Sequence, residues 1–385
     1  MTDLSTTKDI LKDLIAFPTI SADGNVEMIG HLANRLGDLG AAVEIQWEDS
    51  GTKANLLARF GPDAPGGILL SGHSDVVPVE DQAWNSDPFE MIERDGNLFG
   101  RGTCDMKGFI AACVAIAPRL TGDLRRPVHM AFTYDEETGC LGARNLQTLL
   151  ADREARPTLA IIGEPTMMRI IEGHKGCCEY TTRFTGLEGH GSRPELGVNA
   201  VEYAVRYMSR LLELRESLKH RAPPGSAFEP PWTTINLGRL HGGHVHNVIP
   251  GRAEVDWEMR PVQESDRTFV RTDIEDYVAN TLLPEMRRTH PQADIVTDII
   301  GEVAGLEPMD DNAARDLVAR LTGANGTDLV SFGTEAGLFQ QLGMSAVICG
   351  PGSIAQAHKP DEFIALDQLD QCLTMLHGLA DQVAA

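Results

Sequence analysis

The chain has 385 residues, with 33 Lys and Arg against 56 Asp and Glu, for a formal net charge of −23. Such an acidic surface repels nucleic-acid backbones and anionic membranes, which argues against a nucleic-acid or membrane-surface binder. A hydrophobic content of 42% beside 23% charged residues describes a globular protein with a sizeable core, and the length suggests about two domains. The opening MTDLSTTKDILKDLIAF carries acids at Asp3 and Asp9 and does not read as a signal peptide. The most apolar run, Phe109 to Pro118, is far shorter than the roughly 20 residues of a membrane-spanning helix. Seven Cys with no CxxC pair indicate neither a disulfide framework nor a cysteine zinc knuckle, and they point to a reducing compartment, the cytoplasm.

In chain order, cap-like Thr6 and Thr7 precede a helical face of Leu11, Leu14 and Ile15, and Ile29, Leu32, Leu36 and Leu39 repeat the helical period before Gly40. Short apolar runs follow at Ile68 to Leu70, Val128 to Phe132, Leu159 to Ile162 and Ala346 to Cys349, each closed by turn residues. They read as buried strands of a mixed, mainly parallel sheet sandwiched by helices. From about Cys177 the pattern becomes an alternating strand, a helix carrying Val201, Val205, Met208 and Leu212, strands at 233–240 and 252–260, a helix near 270–283 and a strand near 293–300. That βαββαβ order predicts a ferredoxin-like α+β domain over 177–303, interrupting a catalytic α/β domain of 1–176 and 304–385. The Pro-rich segment 221–231 reads as a surface loop.

Chemistry-bearing groups stand where the predicted strands run out. His73 and Asp75 lie in SGHSDVVP, Glu136 and Glu137 in TYDEETG, Glu164 in IIGEPT and His358 in GPGSIAQAHKPDEF, with Asp105 in RGTCDMKG ahead of a helix. Open α/β sheets collect ligands at the carboxyl ends of their strands. Each element alone is weak evidence. Two His and several carboxylates converging there would supply the nitrogen and oxygen ligands of two divalent ions of the zinc type. His241, His244 and His246 have ligand-like spacing but no carboxylate among them, and Cys104 has no paired His, so the first three read as a loop and the last as packing.

SGHSDVVP, GRGTCDMKG, TYDEETG and IIGEPT resemble, in order and spacing, the motifs of the metal-dependent amidohydrolase and exopeptidase family, and the likeness runs over nearly the whole chain. It implies His73 and Glu164 as terminal ligands of one metal, Glu137 and His358 of the other, and Asp105 as the bridge. Zinc is the implied ion, with cobalt as the other candidate. The same resemblance implies Asp75 as the acceptor that orients His73, Glu136 as general base, and His190 as an oxyanion donor reaching across a homodimer interface. Asn247 and Arg260 resemble positions that hold a substrate carboxylate, and Thr334 and Glu335 fall in the substrate-binding motif, Glu335 as a seat for a substrate ammonium. The smaller domain is then a lid and dimerisation domain. The implied reaction is hydrolysis of N2-acetyl-L-ornithine to ornithine and acetate in arginine biosynthesis. Deacylation of another N-acyl amino acid, as by a desuccinylase or aminoacylase, and dipeptide hydrolysis are its rivals.

Overall fold

A computed structural model describes residues 3–385. The chain divides into two compact units, one holding the chain as far as Gly173 with Pro308–Val330 and Thr334–Ala385, the other His174–Glu307 with Ser331–Gly333.

The first unit is built on an eight-stranded sheet whose middle four strands run in the order Val128–Thr133, Gly67–His73, Pro157–Pro165, Ser345–Gly350. All three contacts among these four are parallel, whereas Ala54–Phe60 and Ala42–Trp47 add antiparallel strands on one side and Ile171–His174 on the other. The four apolar runs expected as strands are these four. Their residues are buried almost throughout, as strands covered on both faces must be. Helix Gly108–Ile116 is buried at every position and packs against helices Asp3–Ile15 and Leu366–Val383. Helices Leu141–Ala151 and Ala336–Gln341 pack on each other and on strands of the sheet. Gly163 fixes how closely the sheet approaches helix 108–116, because a Cβ there would lie 2.0 Å from the Phe109 ring. The first helix is already formed at Asp3, so Thr7 caps nothing and its hydroxyl donates within the helix to the Asp3 carbonyl at 2.8 Å.

The second unit holds a four-stranded antiparallel sheet in the order Thr234–Gly242, Arg252–Arg260, Cys177–Thr185, Asp294–Val303, the strand order of a ferredoxin-like layer. Helices Ala200–Leu218 and Glu264–Tyr277 belong to its core, where Tyr180 stacks on Trp257 at 4.4 Å between ring centres. Asn199 caps the longer helix by accepting from the amides of Val201 and Glu202. The buried face of that helix is Ala200, Ala204, Tyr207, Leu211, Leu214 and Leu218, which corrects the stripe read from the sequence: Val205 is 48% exposed. The helix expected near 270–283 starts earlier, at Glu264, and continues through a wider turn to Thr289. Among the described residues, no helix is long and apolar enough to cross a membrane.

Candidate metal centre

The carboxyl ends of the parallel strands bring His73, Asp105, Glu137, Glu164 and His358 together. His73 ends strand 67–73 and Glu164 lies near the end of strand 157–165. Glu136 and Glu137 follow strand 128–133 after Asp135, and His358 follows strand 345–350. Asp105 sits in the wide turn Thr103–Lys107 ahead of helix 108–116. His73 Nε2 is 3.0 Å from Asp105 Oδ1 and 3.7 Å from Glu164 Oε1, while His358 Nε2 is 3.4 Å from Asp105 Oδ2 and 3.0 Å from Glu137 Oε1. Two triads result, His73–Asp105–Glu164 and Asp105–Glu137–His358, and Asp105 offers one oxygen to each.

Burial makes this an electrostatically demanding site. Loss of water, followed by the Asp105 charge, pushes the Glu164 carboxyl up; loss of water, against a partial offset from His73, does the same to Glu136. Asp105 goes the other way: burial alone would raise it, but hydrogen bonds from His358 and His73 hold it below the usual carboxylate range. The bonds to Asp105 and Glu137 raise His358 to about 10. In this arrangement the two imidazoles balance a surplus of carboxylates, as cations would. Glu164 Oε1 is a buried acceptor with no hydrogen-bond partner, the condition expected of an oxygen that ligates an ion. Nitrogen and carboxylate donors suit borderline divalent ions, so the residues present fit a metal pair.

Glu136 belongs to neither triad although it adjoins Glu137; among the described residues its Oε1 accepts only a weak bond, from the Cys140 thiol at 3.4 Å. Asp75 is placed differently from its expected role. His73 Nδ1 is 2.9 Å from the Asp75 backbone carbonyl and 3.6 Å from the carboxylate. That carboxylate instead accepts from Ser21 Oγ at 2.7 Å and from the amides of Glu136 and Glu137 at 3.1 and 3.3 Å. Glu335 and Thr334, expected as substrate contacts, are both buried. Glu335 is 1% exposed, and its two oxygens accept from the hydroxyls of Ser71 and Thr133, at 2.5 and 2.8 Å, which engages the carboxylate within the protein. Thr334 is fully buried and its hydroxyl accepts from the Ala336 amide at the start of helix 336–341. Cys104 is buried, donates to the Ser353 carbonyl and has its thiol pushed up by burial, which suits packing rather than nucleophilic attack.

The sequence reading missed Glu362. This buried carboxylate accepts from Arg101 Nη1 at 2.7 Å and from the amides of Gly102, Cys104 and Asp105 at 3.1, 2.8 and 3.0 Å, and so holds the turn that carries Asp105. Its only signal was an acid four residues after His358.

His190, Asn247 and Arg260 belong to the second unit. His190 is exposed, and its Nδ1 lies 2.8 Å from Ser192 Oγ and 3.2 Å from the Ser192 amide nitrogen. Asn247 is exposed, and Arg260 directs Nε and Nη2 at Glu258 Oε2, 3.1 and 2.8 Å away. His241, His244 and His246 enter no ligand-like group among the described residues.

Residues 69–382 match the model of peptidase family M20/M25/M40. The chain belongs to this family. It is a metal-dependent amidohydrolase of that group. It is similar to an acetylornithine deacetylase of Klebsiella pneumoniae (strain 342), 39% identical over 364 residues and 92% of each chain. Among solved structures, the aminopeptidase PepT of Bacillus cereus shares the fold at a TM-score of 0.70, with 17% identity over 99% of both chains. The Bacillus subtilis YXEP protein, described as a dinuclear metal binding peptidase from the M20 family, does so at a TM-score of 0.63, with 17% identity over 98% of this chain and 97% of that one.

Proposed function

We propose that the enzyme hydrolyses N2-acetyl-L-ornithine to L-ornithine and acetate, with two divalent ions at the joined triads and Glu136 as the proton-transfer group. The observation that carries the mechanism is the exclusion of Glu136 from both triads beside a shared Asp105, which leaves one half-buried carboxylate at the cluster free to move a proton. When bound, the ions, zinc or cobalt, polarise an amide carbonyl and raise the acidity of water. His73 and Glu164 would hold one, Glu137 and His358 the other, and Asp105 both. Glu136 takes the proton from the attacking water and returns it to the leaving nitrogen. His190, whose Nδ1 is engaged by Ser192, is the proposed donor to the developing oxyanion through Nε2, acting within a homodimer whose contacts the second unit supplies. Arg260 has the planar fork a substrate carboxylate calls for, once it exchanges Glu258 for substrate, with Asn247 as its companion. The proposed location is the cytoplasm.

The acetylornithine assignment is supported by the named relatives, which match along 92% of the chain. The burial of Glu335 weighs against its seating a substrate ammonium, and this favours a second reading: a deacylase of another N-acyl amino acid, or a dipeptidase, on the same centre. The deciding measurement is kcat/KM for N2-acetyl-L-ornithine, N-succinyl-diaminopimelate, N-acetyl-methionine and a dipeptide, with zinc- or cobalt-loaded protein. A lead for acetylornithine of tenfold or more, about 1.4 kcal/mol in transition-state binding, upholds the first reading. A different winner upholds the second.

A further inference from the structure

The segment that carries Glu136 and Glu137 begins at Asp135, whose backbone is left-handed at φ 52°. A non-glycine residue is seldom found there, although Asp tolerates it better than most, so the conformation needs support from its surroundings. Support comes from outside the segment. Lys53 Nζ lies 2.7 and 2.6 Å from the two Asp135 oxygens and donates to the Ser21 carbonyl at 2.6 Å. The Ser21 hydroxyl in turn bonds Asp75, and Asp75 accepts the amides of Glu136 and Glu137. The contacts close a ring through Lys53, Asp135, the Glu136–Glu137 backbone, Asp75 and Ser21. Asp135 and Ser21 are each 5% exposed and Lys53 is half-buried, so water competes little for the bonds at Asp135 and Ser21.

We infer that Lys53 and Ser21 are positioning residues: by pinning Asp135 at one end and Asp75 at the other, they set the direction in which Glu136 presents its carboxylate. Neither residue touches the reacting atoms. The inference rests on the proposed role of Glu136, and the direction of a proton-transfer group matters because rate depends steeply on its alignment with the attacking water.

The test uses full-length protein carrying Lys53→Met, Asp135→Ala, Asp135→Asn and Ser21→Ala. Lys53→Met and Asp135→Ala should each lower kcat roughly 10- to 100-fold with KM within about twofold and zinc stoichiometry unchanged, as loss of an outer hydrogen-bond partner does at metal sites. The Lys53→Met/Asp135→Ala double variant should be no worse than either single one, since both break the same link. Asp135→Asn, which still accepts from Lys53 and tolerates φ > 0, should recover most of the rate. Independently of turnover, hydrogen exchange at the Glu136 and Glu137 amides should quicken in metal-free Lys53→Met and Ser21→Ala. Unchanged kcat with unchanged exchange overturns the inference. So does a joint fall of kcat, zinc content and Tm, which would mark the pair as structural only. If the unaltered protein hydrolyses no acyl amino acid, the proposed function fails, and the exchange measurement alone then decides whether the ring orders the segment.

Discussion

Replacing Arg101 by Met should be among the most damaging single changes outside the metal ligands. Arg101 and Glu362 are each 1% exposed, and their charges are paired at 2.7 Å. The guanidinium also donates to Gln82 Oε1 at 2.6 Å and lies 5.0 Å from the ring centre of Trp84. Met fills much of the same volume, so the loss is mainly electrostatic: Glu362 keeps its three backbone N–H donors but is left as an uncompensated buried charge. Breaking a buried pair from one side costs about 3–5 kcal/mol, whereas removing both charges costs far less. Urea unfolding followed by Trp fluorescence should show that loss for Arg101→Met, with a good part recovered in Arg101→Met/Glu362→Gln. Metal affinity should fall in the single variant too, because Glu362 holds the turn that presents Asp105. A loss below about 1 kcal/mol, or a double variant worse than the single one, would refute the reasoning.

Gly163→Ala should cost at least about 1–3 kcal/mol, since its methyl would have to displace the Phe109 ring from a filled core; a smaller loss in urea unfolding contradicts the close approach seen here. Burial lowers His129 and His174 from 6.5 to about 4, so both stay neutral while the unfolded chain takes up protons. Stability therefore falls as pH drops from 6.5 towards 4, by up to about 3 kcal/mol per group, and His129→Phe should flatten that slope in pH-dependent unfolding; an unchanged slope denies His129 a part in it. Glu335→Gln should leave the ratio of kcat/KM for acetylornithine over N-acetyl-methionine within about twofold, because the carboxylate is closed off by Ser71 and Thr133; a tenfold change would restore it as a specificity residue.

Much of the fold was legible because buried parallel strands announce themselves as short apolar runs. Val128 to Phe132 and Ala346 to Cys349 can be recognised without any knowledge of their neighbours. The metal cluster was legible for a related reason: the ends of such strands fall at one edge of the sheet, so His73, Glu137 and Glu164 converge there once the strands are located. Depth was not legible. Glu335 has the residue type for binding an ammonium, and only the hydroxyls of Ser71 and Thr133, more than 200 residues away along the chain, show that it faces inward. Glu362 and Arg101 were hidden in the same way, by a separation of 261 residues. Asp75 shows the limit of reading a role from a triplet, since its carboxylate turns to Ser21 and the Glu136–Glu137 amides while its backbone carbonyl faces His73. Val205 was misassigned because helix 200–218 carries apolar residues on more than one side, and periodicity alone does not choose between adjacent stripes.

The proposed mechanism is tested most directly by metal stoichiometry measured together with turnover of acetylornithine in Glu136→Gln. Glu136→Gln should bind two metal ions, as the unaltered protein should, with a fall in kcat of roughly 10²–10⁴-fold, the contribution of a lost proton-transfer group. Loss of a metal ion would make Glu136 a ligand, and retained turnover would remove it from the mechanism.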